Sequence, residues 1–336
     1  MRFRTPGDIA LALPMLLGYQ PTESLVISCL HGDGGSLGLT LRYDLDTLGP
    51  PEEVAEEIAS RAIVAGADTV LLAIYTSCED RGEVLPYEEF VEALLDRPDV
   101  FIGDALLVRR DRWWSYLCAD AGCCPLDGNP LDRDSAALAS LEASLVLAGS
   151  AVLANREAVV ASIASELSAD CPAQRRRIAR ARRRVAEMGP IECRRKLALL
   201  SRRLVTRLKD PRGAVTDAEA AYFAALCGDI AARDDLLIQA GTPDQRSAVM
   251  SVLRAVVRRV PPPHDAPVCA VLAWFGYAIG DGTLVNVALD RALASDPNYS
   301  LARLIESSLD HQIPPSIIEE VVRGAAGDIA ARDAAG

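Results

Sequence analysis

Lysine is almost absent from this sequence. Among its 336 residues, Lys196 and Lys209 are the only lysines, so arginine supplies nearly all of the positive charge. A glycine-rich loop that ends in Lys-Ser or Lys-Thr, the phosphate cradle of P-loop nucleotide hydrolases, does not occur, which argues against that class of enzyme. Histidine is scarce as well, with three residues, and none lies in a catalytic motif. The sequence therefore points to no catalytic residue.

Long apolar runs are also missing. No segment has the roughly 18 uninterrupted apolar residues that a membrane span needs. Arg2 and Arg4 precede an apolar stretch, as in a signal peptide, but Asp8 and Pro14 interrupt it and no small-residue cleavage site follows. The nine cysteines are an odd number without a secretory context, which favours reduced thiols. We therefore expect a cytoplasmic protein that does not bind membranes.

Half of the residues are hydrophobic, which is enough for a sizeable core and predicts two domains or a domain with an added helical layer. Residues 1–134 predict an α/β domain, in which a tight turn at 14–21 leads into the first strand. Strands then alternate with helices, which implies right-handed crossovers and a mixed sheet with a parallel centre. The predicted strands are 24–30, 37–43, 69–75, 100–108 and 113–118, and the predicted helices are 50–65 and 86–95.

The second half predicts only helices, since its alanine-rich stretches are periodic and contain few β-branched runs. We divide it into a helical connection at 135–212, a helical domain at 213–323 and a flexible tail at 324–336. Gly280-Asp281 lies sixteen residues before Asp296-Pro297, a spacing that partly matches a tetratricopeptide hairpin. The expected helices are 135–148, 155–168, 173–188, 190–208, 216–238, 243–259, 265–279, 283–294 and 299–310.

Three sequence blocks carry a resemblance to a known family. They are LPMLLGYQPTESLVI at 13–27, RWWSYLC followed by CCPLDGNPL at 112–131, and WFGYAIGDGTLVNVALDRALASDPNYSLARLI at 274–305. The chain resembles the uncharacterised, mostly actinobacterial family called domain of unknown function 4192. The resemblance implies the same domain boundaries and a bacterial cytoplasmic setting, and it supplies no catalytic residues.

Charge is strongly segregated along the chain. Residues 174–209 carry a net charge of +12 while the whole chain carries −12. Three interpretations remain open: a solvated helical hairpin balanced by acids such as Glu52, Glu53, Glu56 and Glu57, a contact for an acidic protein, or a nucleic-acid site. The candidate contact residues are Arg175, Arg176, Arg177, Arg180, Arg182, Arg183 and Arg184, which surround a narrow apolar stripe.

A thiol cluster follows a tryptophan-rich strand. Cys118, Cys123 and Cys124 are candidates for a zinc site or a redox disulfide, although structural zinc usually takes four ligands in paired spacings. Simple packing as small apolar residues is the alternative. Trp113 and Trp114 are adjacent and therefore point to opposite faces of a strand. We expect them to provide an aromatic surface, with one of the two entering the core.

These features favour a non-catalytic protein-interaction or scaffold protein, because charge segregation and a repeat-like hairpin occur without a catalytic constellation. The first alternative is a small-molecule enzyme with its site at the C-terminal ends of the parallel strands, near residues 75–79 and 109–112. The second is nucleic-acid binding through residues 174–209. The expected partner is a protein, and zinc is the one cofactor for which the sequence offers candidate ligands.

Overall fold

The computed structural model describes residues 5–32, 35–79, 84–147 and 152–314, together with residues 317, 320 and 324. The chain divides into two compact units, Met1–Asn155 and Arg156–Gly336. None of the helices in these described ranges is long and apolar enough to cross a bilayer. The predicted flexible tail at 324–336 falls outside the described residues, apart from Gly324.

A mixed six-stranded sheet forms the centre of the first unit, which confirms the predicted fold class. Its strand order is β2-β1-β3-β4-β5-β6. The central pair, β3 and β4, is parallel, and all other neighbours are antiparallel. The strands are β1 (Ser24–His31), β2 (Ser36–Asp44), β3 (Thr69–Tyr75), β4 (Ile102–Arg109), β5 (Arg112–Ser115) and β6 (Asn129–Pro130).

Both faces of the central strands are buried, as their continuous apolar sequence requires. On one face, Leu72 and Ile74 of β3 join a core with side chains of two helices, α2 (Pro51–Val64) and α3 (Glu88–Leu95). A short 3-10 helix, Leu45–Thr47, lies in the connection from β2 to α2. The alternation along each strand thus places every second side chain under α2 and α3.

The opposite face carries a helix where the sequence predicted a turn. The predicted turn at 14–21 is wrong over its first half, because α1 (Pro6–Leu17) continues through Pro14. A proline removes the amide that would bond the carbonyl four residues earlier. Here that carbonyl, of Ala10, accepts a hydrogen bond from the Tyr75 hydroxyl at 2.6 Å. The helix ends at Gly18, whose φ of +77° suits glycine.

The first unit continues beyond the predicted domain end at residue 134. Helix α4 (Ala136–Leu147) packs on α1 through Leu138, Leu141 and Ala12. A bridge between Tyr19 and Leu153 then ties the end of the unit to the residues after α1. Since α4 packs on α1, a helix that the sequence did not predict, residues 135–155 belong to the first unit, which ends at Asn155.

The second unit consists of helices in its described part. The prediction of one helix over 216–238 is wrong, because the helix is interrupted at Gly228 and Asp229. The Asp229 side chain accepts the amide of Ala232 and so caps the next helix. The helices are α5 (Arg156–Ile163), α6 (Pro172–Ala186), α7 (Pro190–Leu208), α8 (Asp217–Cys227), α9 (Ile230–Gln239), α10 (Pro243–Val257), α11 (Ala266–Ile279), α12 (Gly282–Ser295) and α13 (Ser300–Asp310).

The predicted helical hairpin is formed by α11 and α12. Gly280 ends α11 with a φ of +78°, and the Asp281 side chain caps α12. A Cβ on Gly276 would lie 3.1 Å from the Val285 side chain, so the small residue lets the two helices approach closely. The helices predicted at 265–279 and 283–294 therefore pack as a close pair, and the tetratricopeptide-like character of their spacing stays a prediction.

Candidate functional site

Helix α6 is held by a narrow stripe that leaves most of its surface in solvent. The buried side chains are Gln174, Ile178, Ala181 and Val185, at the three- and four-residue spacing of one helix face. Gln174 is fully buried. Its side-chain amide donates to two backbone carbonyls, that of Asp217 at the start of one helix, at 3.0 Å, and that of Arg259 just after the end of another, at 2.8 Å.

The seven predicted arginines fall into three groups around this stripe. On the flank toward α8, Arg177 lies 3.6 Å from a carboxylate oxygen of Asp217, and the Arg184 guanidinium lies 5.2 Å from the Tyr222 ring. This flank is therefore engaged within the unit. The outer group, opposite the buried stripe, contains Arg176, Arg180 and Arg183.

The third group, Arg175 and Arg182, lies one heptad apart on the other flank of α6. Both cations act on His264 in the loop before α11: burial first, then Arg182 and Arg175, lower the pKa of this histidine. This flank of the helix therefore faces the loop that carries His264.

We define the arginine face as Arg175, Arg176, Arg180, Arg182 and Arg183. These five side chains are exposed and make no ion pair with another residue in the part of the chain that the structure describes. By contrast, Arg203 and Arg207 of α7 contact Glu219 at 2.8 and 2.7 Å. The α6 surface thus keeps positive charge that its own unit leaves unpaired.

The acids that might have balanced this charge are partly used elsewhere. Glu56 contacts Arg97 at 3.0 Å, and Glu57 accepts from Arg61 at 2.9 Å, both within the first unit. The interpretation of a charge-balanced hairpin therefore receives no support from these two carboxylates.

A groove of about 490 Å³, which we call the helical groove, runs beside Arg182. Small apolar side chains dominate its lining, and two carboxylates and one phenol complete it. The groove is bounded by the end of α6, by α8, by the start of α11 and by the turn before α13. Its lining residues are Arg182, Val185, Ala186, Met188, Ala224, Ala225, Gly228, Asp229, Pro263, Ala266, Pro267, Asp296 and Tyr299.

The polar groups of the groove have structural partners. Asp229 and Asp296 each accept a backbone amide, from Ala232 at 2.9 Å and from Asn298 at 3.1 Å. The Tyr299 hydroxyl donates toward the carbonyl of Cys227 at 3.4 Å. Local hydrogen bonds therefore fix the two carboxylates in place, and the carboxylates add negative charge to a lining of mixed polarity.

A buried ion pair supports the wall of the groove that contains Ala266 and Pro267. Asp265 is fully buried and accepts from Arg291 Nε at 2.6 Å and from the Ser295 hydroxyl at 2.6 Å. Arg291 also donates to main-chain oxygens at the ends of two further helices, so its guanidinium is well satisfied. These acceptors are the carbonyls of Ile163, Val257 and Val260.

The C-terminal ends of the parallel strands, proposed as an enzyme site, are occupied by a hydrogen-bonded loop. Glu23 accepts from the Thr76 hydroxyl at 2.6 Å and from the amide and hydroxyl of Ser77 at 2.7 and 2.8 Å. Burial acts to raise the pKa of Glu23, but these bonds outweigh it and lower the pKa. Arg109 donates to the carbonyl of Cys78 at 2.7 Å. Glu23 here anchors a loop, and the small-molecule enzyme stays a prediction.

The structure brings the three predicted thiols together in the loop between β5 and β6. The sulfur atoms of Cys118 and Cys123 lie 2.9 Å apart, and those of Cys123 and Cys124 lie 3.9 Å apart. All three sulfurs lie within 4.8 Å of one another. The residues are exposed or half-buried, so they do not act as core packing.

One of the two predicted tryptophans enters the core, as expected, so the expectation of a surface aromatic is corrected for Trp114. Trp114 is 9% exposed and belongs to the core under α2 and α3, and its indole nitrogen donates to the carbonyl of Leu126 at 3.0 Å. Trp113 is half-buried, and a Cβ on Gly7 of α1 would lie 2.9 Å from its indole nitrogen. A contact role for the exposed part of Trp113 stays a prediction.

Sequence reasoning missed the helical groove because its lining comes from four separated segments. The one signal in the sequence was the run of prolines before His264, which stops α10 from continuing into α11. The last proline of the run, Pro263, lies in the lining. To predict the groove from the sequence, one would also have to know that α6 packs on α8, and no local sequence pattern specifies that contact.

Comparison with known proteins gives one match. A family model described as "Domain of unknown function (DUF4192)" matches residues 6–316. No curated protein and no solved structure matches the chain.

Proposed function

The chain belongs to the DUF4192 family, a description that names no activity, and we propose from its own residues that it is a non-catalytic interaction protein whose second unit binds an acidic polypeptide. The observation that carries the proposal is the arginine face on α6, one member of which, Arg182, lines the helical groove. Five exposed arginines lack an ion pair among the described residues, and the groove beside Arg182 has a volume of about 490 Å³. We place this protein in the cytoplasm, in line with its odd number of cysteines.

The two parts of the surface have complementary roles. Arginine forks bind carboxylates in a bidentate geometry, so the arginine face fits aspartate and glutamate side chains. The groove, lined by Val185, Met188 and several alanines, fits an apolar side chain of the same polypeptide. Charge then steers the partner to the surface, and burial of its apolar residue holds it there.

The scarcity of aromatic side chains near the arginine face favours a polypeptide over a nucleic acid. Proteins that bind single-stranded nucleic acids without sequence preference stack successive bases on aromatic side chains. Tyr299 is the one aromatic residue in the lining, and Tyr222 is covered by Arg184.

The experiment compares three fluorescent probes of equal charge with the full chain. They are an acidic peptide with interspersed leucine and phenylalanine, a peptide of glutamate alone, and a single-stranded oligonucleotide. We expect the acidic and apolar peptide to bind most tightly. Tightest binding by the oligonucleotide, with a log-log salt slope near −0.7 for each phosphate contacted, would favour a nucleic-acid partner instead. Binding of none of the probes would leave α6 as a solvated helix.

A steric variant separates the groove from general charge attraction. Ala186 is exposed on α6 and lines the groove, so Ala186→Trp should fill its mouth. We expect this variant to bind the mixed peptide at least about tenfold more weakly, a loss of about 1.4 kcal/mol. Ala161→Trp, at an exposed position of α5 outside both the lining and the arginine face, is the matched control and should bind as the wild type does. Equal affinity of the two variants would contradict a role for the groove.

A further inference from the structure

The loop between β5 and β6, residues 116–128, turns neighbouring cysteines to the same side. In an extended chain, Cys123 and Cys124 would point in opposite directions. Here both of their backbone amides donate to the carbonyl of Asp120, at 3.1 and 2.7 Å, so the chain curls tightly. The Asn129 side chain donates to the carbonyl of Cys123 at 2.9 Å and fixes the curl. Both thiols consequently meet Cys118.

We propose that Cys118, Cys123 and Cys124 form a three-thiolate binding site for Zn²⁺. Two sulfurs on a tetrahedral zinc lie about 3.8 Å apart, given a Zn–S bond of about 2.3 Å. The sulfur separations of 2.9 Å, 3.9 Å and at most 4.8 Å bracket that value. Adjustment of the exposed side chains in the loop therefore suffices to place all three sulfurs around one ion.

The set of donors selects the cation. Thiolates are soft ligands, which favour zinc over calcium or magnesium. A disulfide between Cys118 and Cys123 needs only two of the sulfurs and leaves the third thiol without a role. Zinc uses all three and requires no oxidant.

The fourth coordination position is open. Among the described residues, no fourth cysteine, histidine or carboxylate joins the cluster. Asp120, the nearest acid in the sequence, turns a carboxylate oxygen to the amide of Gly122 at 2.8 Å. A water molecule or an external ligand completes the tetrahedron, the arrangement of zinc sites that bind or activate a further molecule.

The experiment titrates the reduced full-length chain with zinc chloride against a chromophoric chelator, without oxygen. We expect one zinc per wild-type chain. Each of Cys118→Ser, Cys123→Ser and Cys124→Ser should lower the association constant at least about 100-fold, because the loss of a ligand exceeds that of an outer partner. Cys78→Ser removes an exposed thiol outside the cluster and should bind zinc as the wild type does.

X-ray absorption of the zinc-loaded chain gives an independent readout. We expect three sulfur neighbours at about 2.3 Å and one lighter neighbour. Zinc binding that persists in the triple serine variant would overturn the proposal, as would two or fewer sulfur neighbours. Absence of zinc binding by the fully reduced wild type, or a Cys118–Cys123 disulfide that persists under reduction and prevents binding, would overturn it too.

Discussion

The arginine face and the thiol cluster depend on local structure to different degrees. Five arginines on α6 remain exposed whichever rotamers they adopt, because the apolar stripe is narrow and the rest of the helix surface points to solvent. The three thiols meet only because one carbonyl, that of Asp120, gathers two successive amides. A charged surface thus needs little more than a helix, whereas a ligand set needs one particular turn.

This difference decides how each region can be disrupted. The arginine face should tolerate single substitutions, since exposed ionic contacts are individually weak. The thiol cluster should fail when one ligand or one anchoring residue changes. The helical groove lies between these cases, because its wall depends on the buried pair Asp265 and Arg291.

The largest effect is expected where that pair is broken. Arg291→Met leaves the fully buried carboxylate of Asp265 without its cation, and breaking a buried pair costs about 3–5 kcal/mol. We expect the free energy of unfolding of the second unit to fall by that amount in urea denaturation. Arg156→Met removes an exposed cation that contacts Asp290 at 3.4 Å, and this control should change stability by less than about 1 kcal/mol.

The next largest effect tests a second turn, at Gly128, in the loop that carries the thiols. Gly128 has a φ of +72°, and a Cβ there would lie 2.4 Å from the Trp114 ring. Gly128→Ala should destabilise the loop by about 1–3 kcal/mol and weaken zinc binding with it. Gly49→Ala is the control, because its Cβ meets no atom closer than 4.0 Å. Undiminished zinc affinity in Gly128→Ala would show that the thiols do not need this turn.

The stability of the protein in acid tests the paired arginines of α7, because their partner Glu219 must be ionised for the contact to form. Burial acts to raise the pKa of Glu219, but hydrogen bonds from Arg207 and Thr216 outweigh it and lower the pKa to about 2. A carboxyl whose pKa is lowered by folding contributes stability above its unfolded pKa, near 4.5, and loses it as the pH falls toward 2.

Glu219→Gln should therefore lower stability at neutral pH by about 2 kcal/mol and flatten its decline between pH 5 and pH 2. Unfolding by urea at a series of pH values measures both effects. Glu192→Gln, which removes an exposed contact with Lys196 at 4.0 Å, should leave the profile nearly unchanged. A profile of Glu219→Gln that is as steep as that of the wild type would assign the acid sensitivity to other carboxyls.

Much of the fold was predictable because its signals are local. The continuous apolar run at 69–75 became β3 with the same bounds, and the helix predicted at 190–208 became α7 with the same bounds. The failures were non-local. A proline inside α1 is tolerated because Tyr75, sixty-one residues later, bonds the carbonyl that the proline leaves free. No local pattern predicts that contact.

The candidate sites divide in the same way. Charge density alone located the arginines of α6, but which of them face the groove depends on the packing of α6 against α8 and on the loop with His264. The thiol spacing lacks the paired form typical of structural zinc, so the sequence left packing as an alternative to metal binding. The curl around Asp120 supplies the missing proximity, and it arises from hydrogen bonds that residue types do not encode uniquely.

Two charge-matched double variants test the central claim that the arginines beside the groove bind an acidic polypeptide. Arg175→Glu/Arg182→Glu changes the flank next to His264, and Arg176→Glu/Arg183→Glu changes the outer surface by the same net charge. At an ionic strength near 0.15 M, where charges are screened beyond about 8 Å, affinity for the acidic and apolar peptide is measured by fluorescence anisotropy. We predict a loss of at least about tenfold for the first variant and about threefold or less for the second. Equal losses in the two variants, or no loss in the first, would contradict the account.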